Sequence, residues 1–234
     1  LVGGALGLGG LQMQTLFRNP LAGPDVLGLS AGASLAVSIV FMAGGAGLHF
    51  LPSSWSIALA ASLGAGVVLI LVLAIASRVK DNTSLLIVGL MLGAATASFV
   101  SILQFGSKAE DQQYFLIWTF GSLGGLNKLE LIILFIALLI GILLSTINIK
   151  ALNAWQLGDS YARSLGIHPT RARLLMIVTA SLLAGAVTAF CGPIAFVGLA
   201  VPHLMKLWIK TADHRQLIPG VVLGGASLML LCDI

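Results

Sequence analysis

Charge is what this chain has least of. Only 9% of its 234 residues are Asp, Glu, Lys or Arg, against 58% hydrophobic, too few solvating groups for a soluble globule of this length. Cysteine is as scarce. Cys191 and Cys232 make neither a disulfide framework nor a metal site, and they read as small buried hydrophobes. No phosphate loop of the form Gly-x-x-x-x-Gly-Lys-[Ser/Thr] and no His-Glu-x-x-His string occurs, so we expect no catalytic, cofactor-binding or metal centre. The 12 basic residues outnumber the 8 acidic ones, but they are spread over short loops, which is not a nucleic-acid footprint.

Long charge-free intervals take the place of charge. They run over Leu1 to Phe17, Val26 to Ser77, Asn82 to Ser107, Leu131 to Ile149, Leu174 to Met205 and Gln216 to Cys232. About 20 apolar helical residues cross a bilayer core. The two longest intervals therefore hold two spans each, divided near Gly44 to Pro52 and at Cys191-Gly192-Pro193, where Gly and Pro punctuate helices. The expectation is an all-α, polytopic membrane protein with about eight transmembrane helices, at 1–17, 27–44, 55–77, 84–105, 130–149, 174–190, 194–209 and 217–232. Assigning alternate loops to opposite sides puts Arg18, Arg78, Lys80, Lys150, Arg163, Arg171, Arg173, Lys206, Lys210 and Arg215 on one side, and only Lys108 and Lys128 on the other. By the positive-inside rule the first side is cytoplasmic. The chain begins without Met inside an apolar run and stops at Asp233-Ile234, so it reads as a fragment of a larger membrane domain that spans 1–234.

Two strings are specific. Arg18-Asn19-Pro20-Leu21-Ala22-Gly23-Pro24, continuing through Gly28 to Gly32, joins the first two spans. Pro20 and Pro24 end one helix, and Gly28 and Gly32 have the spacing of a small-residue packing face on the next. By its residues alone this is an ordinary helix–helix turn. Gly192-Pro193-Ile194-Ala195-Phe196-Val197-Gly198-Leu199-Ala200-Val201-Pro202-His203 opens a short span that Pro202 interrupts, so freed carbonyls should be buried against neighbouring helices. His203 suits either a metal or proton-relay role or a plain helix-end hydrogen bond. Together the strings resemble the signatures of the FecCD family, permease subunits of ABC importers for ferric siderophores, haem and cobalamin. Trp118-Thr119-Phe120-Gly121-Ser122-Leu123 and Asp213-His214-Arg215 resemble further family elements, the Trp being otherwise a bilayer-surface anchor.

The resemblance implies a ten-helix permease, of which this fragment would lack the first and last spans. It also implies an ABC ATPase subunit dimer, a second permease subunit in a homodimer, an extracytoplasmic substrate-binding protein, and the lipid bilayer of the bacterial cytoplasmic membrane. An iron-siderophore complex is the expected cargo, with haem or cobalamin as variants. A self-sufficient secondary transporter of a small solute is the alternative, although no span centre carries the ionisable residue such carriers use. Residues 150–173 are the longest polar interval and the place for a soluble partner. On a helix, Leu157, Gly158, Tyr161, Ala162 and Leu165 fall within an arc of about 140°, opposite Asp159 and its polar neighbours. That amphipathic helix is expected to end at Gly166, with Pro169 opening the next helix. The spacing of Ala162 and Gly166 resembles the core of the loop by which importer permeases seat in the ATPase, so Leu157, Gly158, Asp159, Tyr161, Ala162, Leu165 and Gly166 are the expected coupling residues. Within the spans, Gln12, Gln14, Ser98, Ser101 and Gln104 either bond neighbouring helices or line a translocation path.

Overall fold

The computed structural model describes residues 1–42, 54–79 and 81–233. Eleven helices are present among them: α1 (Val2–Phe17), α2 (Leu29–Met42), α3 (Ser54–Arg78), α4 (Asn82–Phe105), α5 (Ala109–Thr119), α6 (Lys128–Ile147), α7 (Ile149–Gln156), α8 (Asp159–Ser164), α9 (Pro169–Cys191), α10 (Val197–Ile209) and α11 (His214–Cys232). No strand occurs among the described residues. Five helices, α3, α4, α6, α9 and α11, are long and apolar enough to cross a bilayer, and α2 and α10 are shorter apolar helices. The proposed division near Gly44 to Pro52 lies outside the described residues.

The bundle is built around α1. Every residue from Val2 to Leu16 is buried, and α6, α9, α10 and α11 pack about it. Its glycines make this possible. A Cβ on Gly3 would strike the Gly225 carbonyl of α11, and one on Gly10 would strike the Gly198 carbonyl of α10. Without side chains at these points the backbones approach to contact, the small-residue packing that replaces the hydrophobic effect between helices in lipid. The Gly198 contact also meets the expectation for Pro202. Proline has no N–H to return to the carbonyl four residues earlier, so the carbonyl of Gly198 is freed and covered by Gly10.

Several local expectations are corrected. Gly28 is not on a helical packing face: it has φ +76 and closes a 3-10 turn at Pro24–Leu27, before α2 begins. It instead abuts Gly89 and Gly93 of α4, while Gly32 packs on Gly64 and Val68 of α3. Gly121 and Gly125, whose four-residue spacing also reads as a helical packing face, are left-handed turn residues, with φ +69 and +87. The turn they form is fastened to the end of α9 by Ser122 N–H donating to the Cys191 carbonyl at 2.8 Å. The loop between α4 and α6 carries a helix of its own, α5, whose Trp118 stacks on Phe115 at 6.1 Å between ring centroids. Cys191 is buried and Cys232 exposed, and both are free thiols.

The polar interval is also reshaped. One amphipathic helix was expected, but the segment folds as two, α7 and α8, separated at Leu157-Gly158. Gly158 has φ +117, outside the range a continuing helix of L-residues tolerates, so the helical face drawn through Leu157 and Tyr161 is broken there. The end is as expected. Gly166 is left-handed (φ +76), its N–H donates to Arg163 and that of Ile167 to Ala162, the paired bonds of a Schellman cap, and Pro169 opens α9.

Candidate functional site

The polar interval at 150–173 is anchored by α7. This helix buries Ala151, Leu152, Ala154 and Trp155. The Trp155 indole N–H donates to the Leu16 carbonyl at 3.1 Å, and Asn82 Nδ2 donates to the same carbonyl at 3.0 Å. Arg18 returns the contact: its Nε donates to the Trp155 carbonyl at 2.8 Å and its guanidinium lies 5.7 Å from the indole centroid. The orphan carbonyls at the C-terminal end of α1, and the positive charge that end favours, are thus both supplied. Arg18 of the first string therefore works together with α7, a partner 137 residues away in sequence.

A second fastening joins α7 to α11. Asn153 Oδ1 accepts the His214 backbone N–H at 2.9 Å and lies 2.7 Å from His214 Nδ1, while its Nδ2 donates to Asp213 at 2.7 Å. Gln156 Nε2 donates to the Ala212 carbonyl at 3.0 Å. His214 Nε2 lies 2.9 Å from Thr15 Oγ1 on α1, and the ring is fully buried. Asp213 caps α11 through the Arg215 N–H. That backbone bond, then the Asn153 amide, hold its carboxyl below the ordinary carboxylate range. A third fastening uses Arg173, 5% exposed, whose Nη2 donates to the Ala76 and Val79 carbonyls at the C-terminal end of α3, at 2.6 and 2.5 Å.

On this anchored base α8 projects outward. Ala162 is fully buried, whereas Leu157, Tyr161 and Leu165 are 66%, 47% and 58% exposed. Three large apolar side chains in a polar interval are thus left uncovered, in a segment of the sequence that also carries Lys150, Arg163 and Arg171. Gly158 and Gly166 bound this projection; Asp159 is the first residue of α8.

The polar residues of the spans fall into two separated groups. Gln12 and Gln14 lie inside the bundle. Gln12 Nε2 donates to Ser145 on α6 at 2.7 Å, and Gln14 Nε2 to the Pro20 and Leu199 carbonyls at 2.9 and 3.0 Å. Ser98, Ser101 and Gln104 lie on α4. Ser98 and Ser101 are exposed and donate to their own helix at Ala94 and Ala97, and the Gln104 carbonyl accepts from Gln112 at 2.7 Å. The structure does not bring the two groups together.

Of the string residues, Asn19 Oδ1 accepts from Leu21 N–H, Ala22 and Pro24 are buried, and Pro20 and Leu21 are exposed. Phe196 is 79% exposed with φ +66, at the start of α10. His203 is exposed on α10, and no group of His, Cys, Asp or Glu suited to a metal occurs among the described residues. Gly28-Leu29-Ser30-Ala31-Gly32 spells a hydrolase-like Gly-x-Ser-x-Gly, but the Ser30 hydroxyl donates to Asp25 and no histidine among the described residues bonds it. Sequence reasoning missed the roles of Trp155, Asn153, Arg173, Lys206 and His214. A usable signal existed for one of them: Asp213 ahead of His214 is a helix-capping residue that fixes where the histidine enters the bundle.

The FecCD transport family model matches residues 1–234. The chain is 36% identical over 234 residues to the hemin transport system permease protein HmuU of Yersinia pestis, covering 100% of this chain and 70% of that protein. It is 35% identical over 236 residues to the vitamin B12 import system permease protein BtuC of Salmonella typhimurium, with the same coverages. Among solved structures it superposes, with a TM-score of 0.88 and 28% identity over 99% of this chain and 73% of the other, on an inward-facing conformation of a metal-chelate type ABC transporter. An all-helical bundle with five membrane-length apolar helices, matched over its whole extent by permeases, is a multi-pass membrane protein, and this chain belongs to the FecCD transport family of ABC transporter permeases.

Proposed function

We propose that this chain is the permease subunit of a binding-protein-dependent ABC importer in the bacterial inner membrane, that it crosses the membrane about eight times in the part described by this sequence, and that it carries a metal chelate, haem or a cobalamin. The relatives named for hemin and vitamin B12 import support that cargo class. An iron-siderophore complex is the member of the class expected from the sequence strings. The observation that carries the reading is the α8 projection. Leu157, Tyr161 and Leu165 offer an apolar surface to a soluble partner, and the loop behind them is fastened to α1, α3 and α11 through Trp155, Arg173 and His214.

A push on α8 then reaches the spans by rigid contact. The ATPase subunit supplies the push, since the chain has no phosphate loop of its own. The cargo path is assigned to the uncovered side of α4, where Ser98, Ser101 and Gln104 sit among Phe99, Ile102 and Phe105, facing a second copy of the permease. An extracytoplasmic binding protein delivers the cargo to the opposite side.

The test is uptake and ATP hydrolysis in vesicles that contain the full transporter with its binding protein. Leu165→Asp, or Tyr161→Asp, both at exposed positions, is expected to lower uptake at least about tenfold, the loss of roughly 1.4 kcal/mol of coupling, while the permease still inserts and melts normally. Uptake equal to the parent's in both variants would remove the coupling role from α8.

A further inference from the structure

The turn after α1 does not stay at the end of that helix. Arg18 caps α1, Arg78 ends α3 and Asp81 caps α4, and the Asn82 bond to the Leu16 carbonyl holds the start of α4 to the end of α1. Charged residues thus mark one polar end of these helices. From that end the chain folds back inward. Pro24 lies against Gly9, eight residues before the end of α1, and against Gly198 at the start of α10, while the Val26 carbonyl lies against Gly89, seven residues beyond Asn82. At 1.5 Å per residue, both neighbours place the 3-10 turn Pro24–Leu27 about 10 Å inward along the helices. Asp25 therefore sits beside the membrane-length helix α4, below the level of Arg18 and Asp81. An aspartate is too short to reach back to the surface as a lysine or arginine does. Yet its side chain is exposed among the described residues. Its polar partner there is the Ser30 hydroxyl in the first turn of α2, and Ser34, one turn further along the same face, is half-buried.

A second break in the spans meets the turn at this depth. Helix α10 starts here, with Gly198 on Pro24, and Phe196 just ahead of it is exposed at φ +66. Irregular backbone and a carboxylate at membrane depth are stable only where protein covers them or water reaches them. The positive end of α2 offsets part of the Asp25 charge but does not cover the carboxylate. We propose that Asp25, with Ser30 and Ser34, lines a water-filled part of the cargo path beside the foot of α4, and that its carboxylate makes this stretch favour solute groups that are cationic or donate hydrogen bonds. The inference rests on the permease reading and adds a chemical preference at a definite depth. A carboxylate only accepts hydrogen bonds, so ammonium, amide N–H and hydroxyl groups of a passing solute are favoured there. Free carboxylates on the solute are repelled.

The experiment uses the full transporter complex in phospholipid vesicles, with the exposed Cys232 replaced by serine. Single cysteines introduced into the permease are reacted with methanethiosulfonates that carry either a trimethylammonium or a sulfonate group, and rates are normalised to those of a free thiol. Only a thiolate reacts, and a thiol surrounded by lipid does not ionise. Asp25→Cys and Ser34→Cys are expected to react at least about tenfold faster than Ile70→Cys, an exposed position on α3 eight residues before Arg78 and so at a similar depth. At Ser34→Cys the trimethylammonium reagent should be preferred. Asp25→Asn should lower that preference about tenfold, and Asp25→Glu should keep it. Rates at both positions no faster than at Ile70→Cys would mean a dry site and overturn the proposal, as would a preference that Asp25→Asn leaves unchanged. Should Asp25→Cys fail to assemble, the Ser34→Cys rates decide by the same two criteria. The reactions are read without cargo or ATP, so their failure leaves the α8 coupling reading untouched, and a failure of that reading shows only in uptake.

Discussion

Helices α1 and α4 are both apolar, yet one is the axis of the bundle and the other is nearly bare. Every residue of α1 from Val2 to Leu16 is buried, whereas α4 buries only Leu85 and Gly89 of its 24 residues. Hydropathy does not separate them; side-chain size and the destination of polar groups do. Helix α1 presents glycines that let α10 and α11 touch its backbone, and its Gln12, Gln14 and Thr15 bond other helices. Helix α4 presents Phe99, Ile102 and Phe105, and its Ser98 and Ser101 turn back to carbonyls of the same helix. In a membrane the apolar residue is the default on both sides of an interface, so burial must be read from small residues and bonded polar groups.

That contrast can be broken most forcefully at its glycines. Gly10→Leu drives a side chain into the Gly198 carbonyl and is expected to abolish folded permease, seen as loss of a monodisperse peak in detergent. Gly93→Ala on α4 meets nothing nearer than the Gly28 Cα at 4.0 Å and is expected to stay within about 0.5 kcal/mol of the parent. Equal damage from the two would erase the distinction. A smaller effect is expected at Phe99 and Phe105. Their double replacement by alanine should leave the melting of the single chain unchanged but weaken pairing of permease copies and uptake, measured by cross-linking and vesicle transport. Unchanged pairing would show that the bare face of α4 meets lipid.

The smallest effect is electrostatic. Asp81 caps α4, and the Ser84 N–H and hydroxyl at 2.8 and 2.9 Å hold its carboxyl below the ordinary carboxylate value of about 4. A carboxyl lowered on folding contributes stability above its unfolded value, and loses it as pH falls through the folded one. Asp81→Asn keeps a capping oxygen but no titration. The variant should therefore melt slightly below the parent at neutral pH, and the difference should close on acidification below about pH 4. An identical acid profile in the two proteins would show that the cap does not contribute to α4.

How far the sequence could be read follows the same divide. The charge-free intervals placed α3, α4, α6, α9 and α11 because length and apolarity decide spans. The break at Gly192-Pro193 was legible for the same reason that Gly158 was misjudged. A Gly-Pro pair is a strong punctuation mark, whereas a lone glycine in an amphipathic pattern is tolerated as often as it breaks a helix. Gly28 was assigned to a packing face because its spacing to Gly32 is helical, and only the φ of +76 reveals a turn. The His214 hub was hidden altogether. Its partners Thr15, Asn153 and Gln156 are far from it in the chain, and no local period records a contact across 199 residues.

Pro202 gives α10 a mechanical property. The rung between residue 202 and Gly198 is missing from the hydrogen-bond ladder in every conformation, so flexing the helix there breaks no bond that a straight helix would have kept. On one side of the gap Gly198 lies against Gly10; on the other, Lys206 is moored to Gln14. Both moorings are on α1, four residues apart. Helix α10 is therefore tied to α1 on both sides of a missing rung, so a bend at Pro202 would be felt at two levels of the same neighbouring helix.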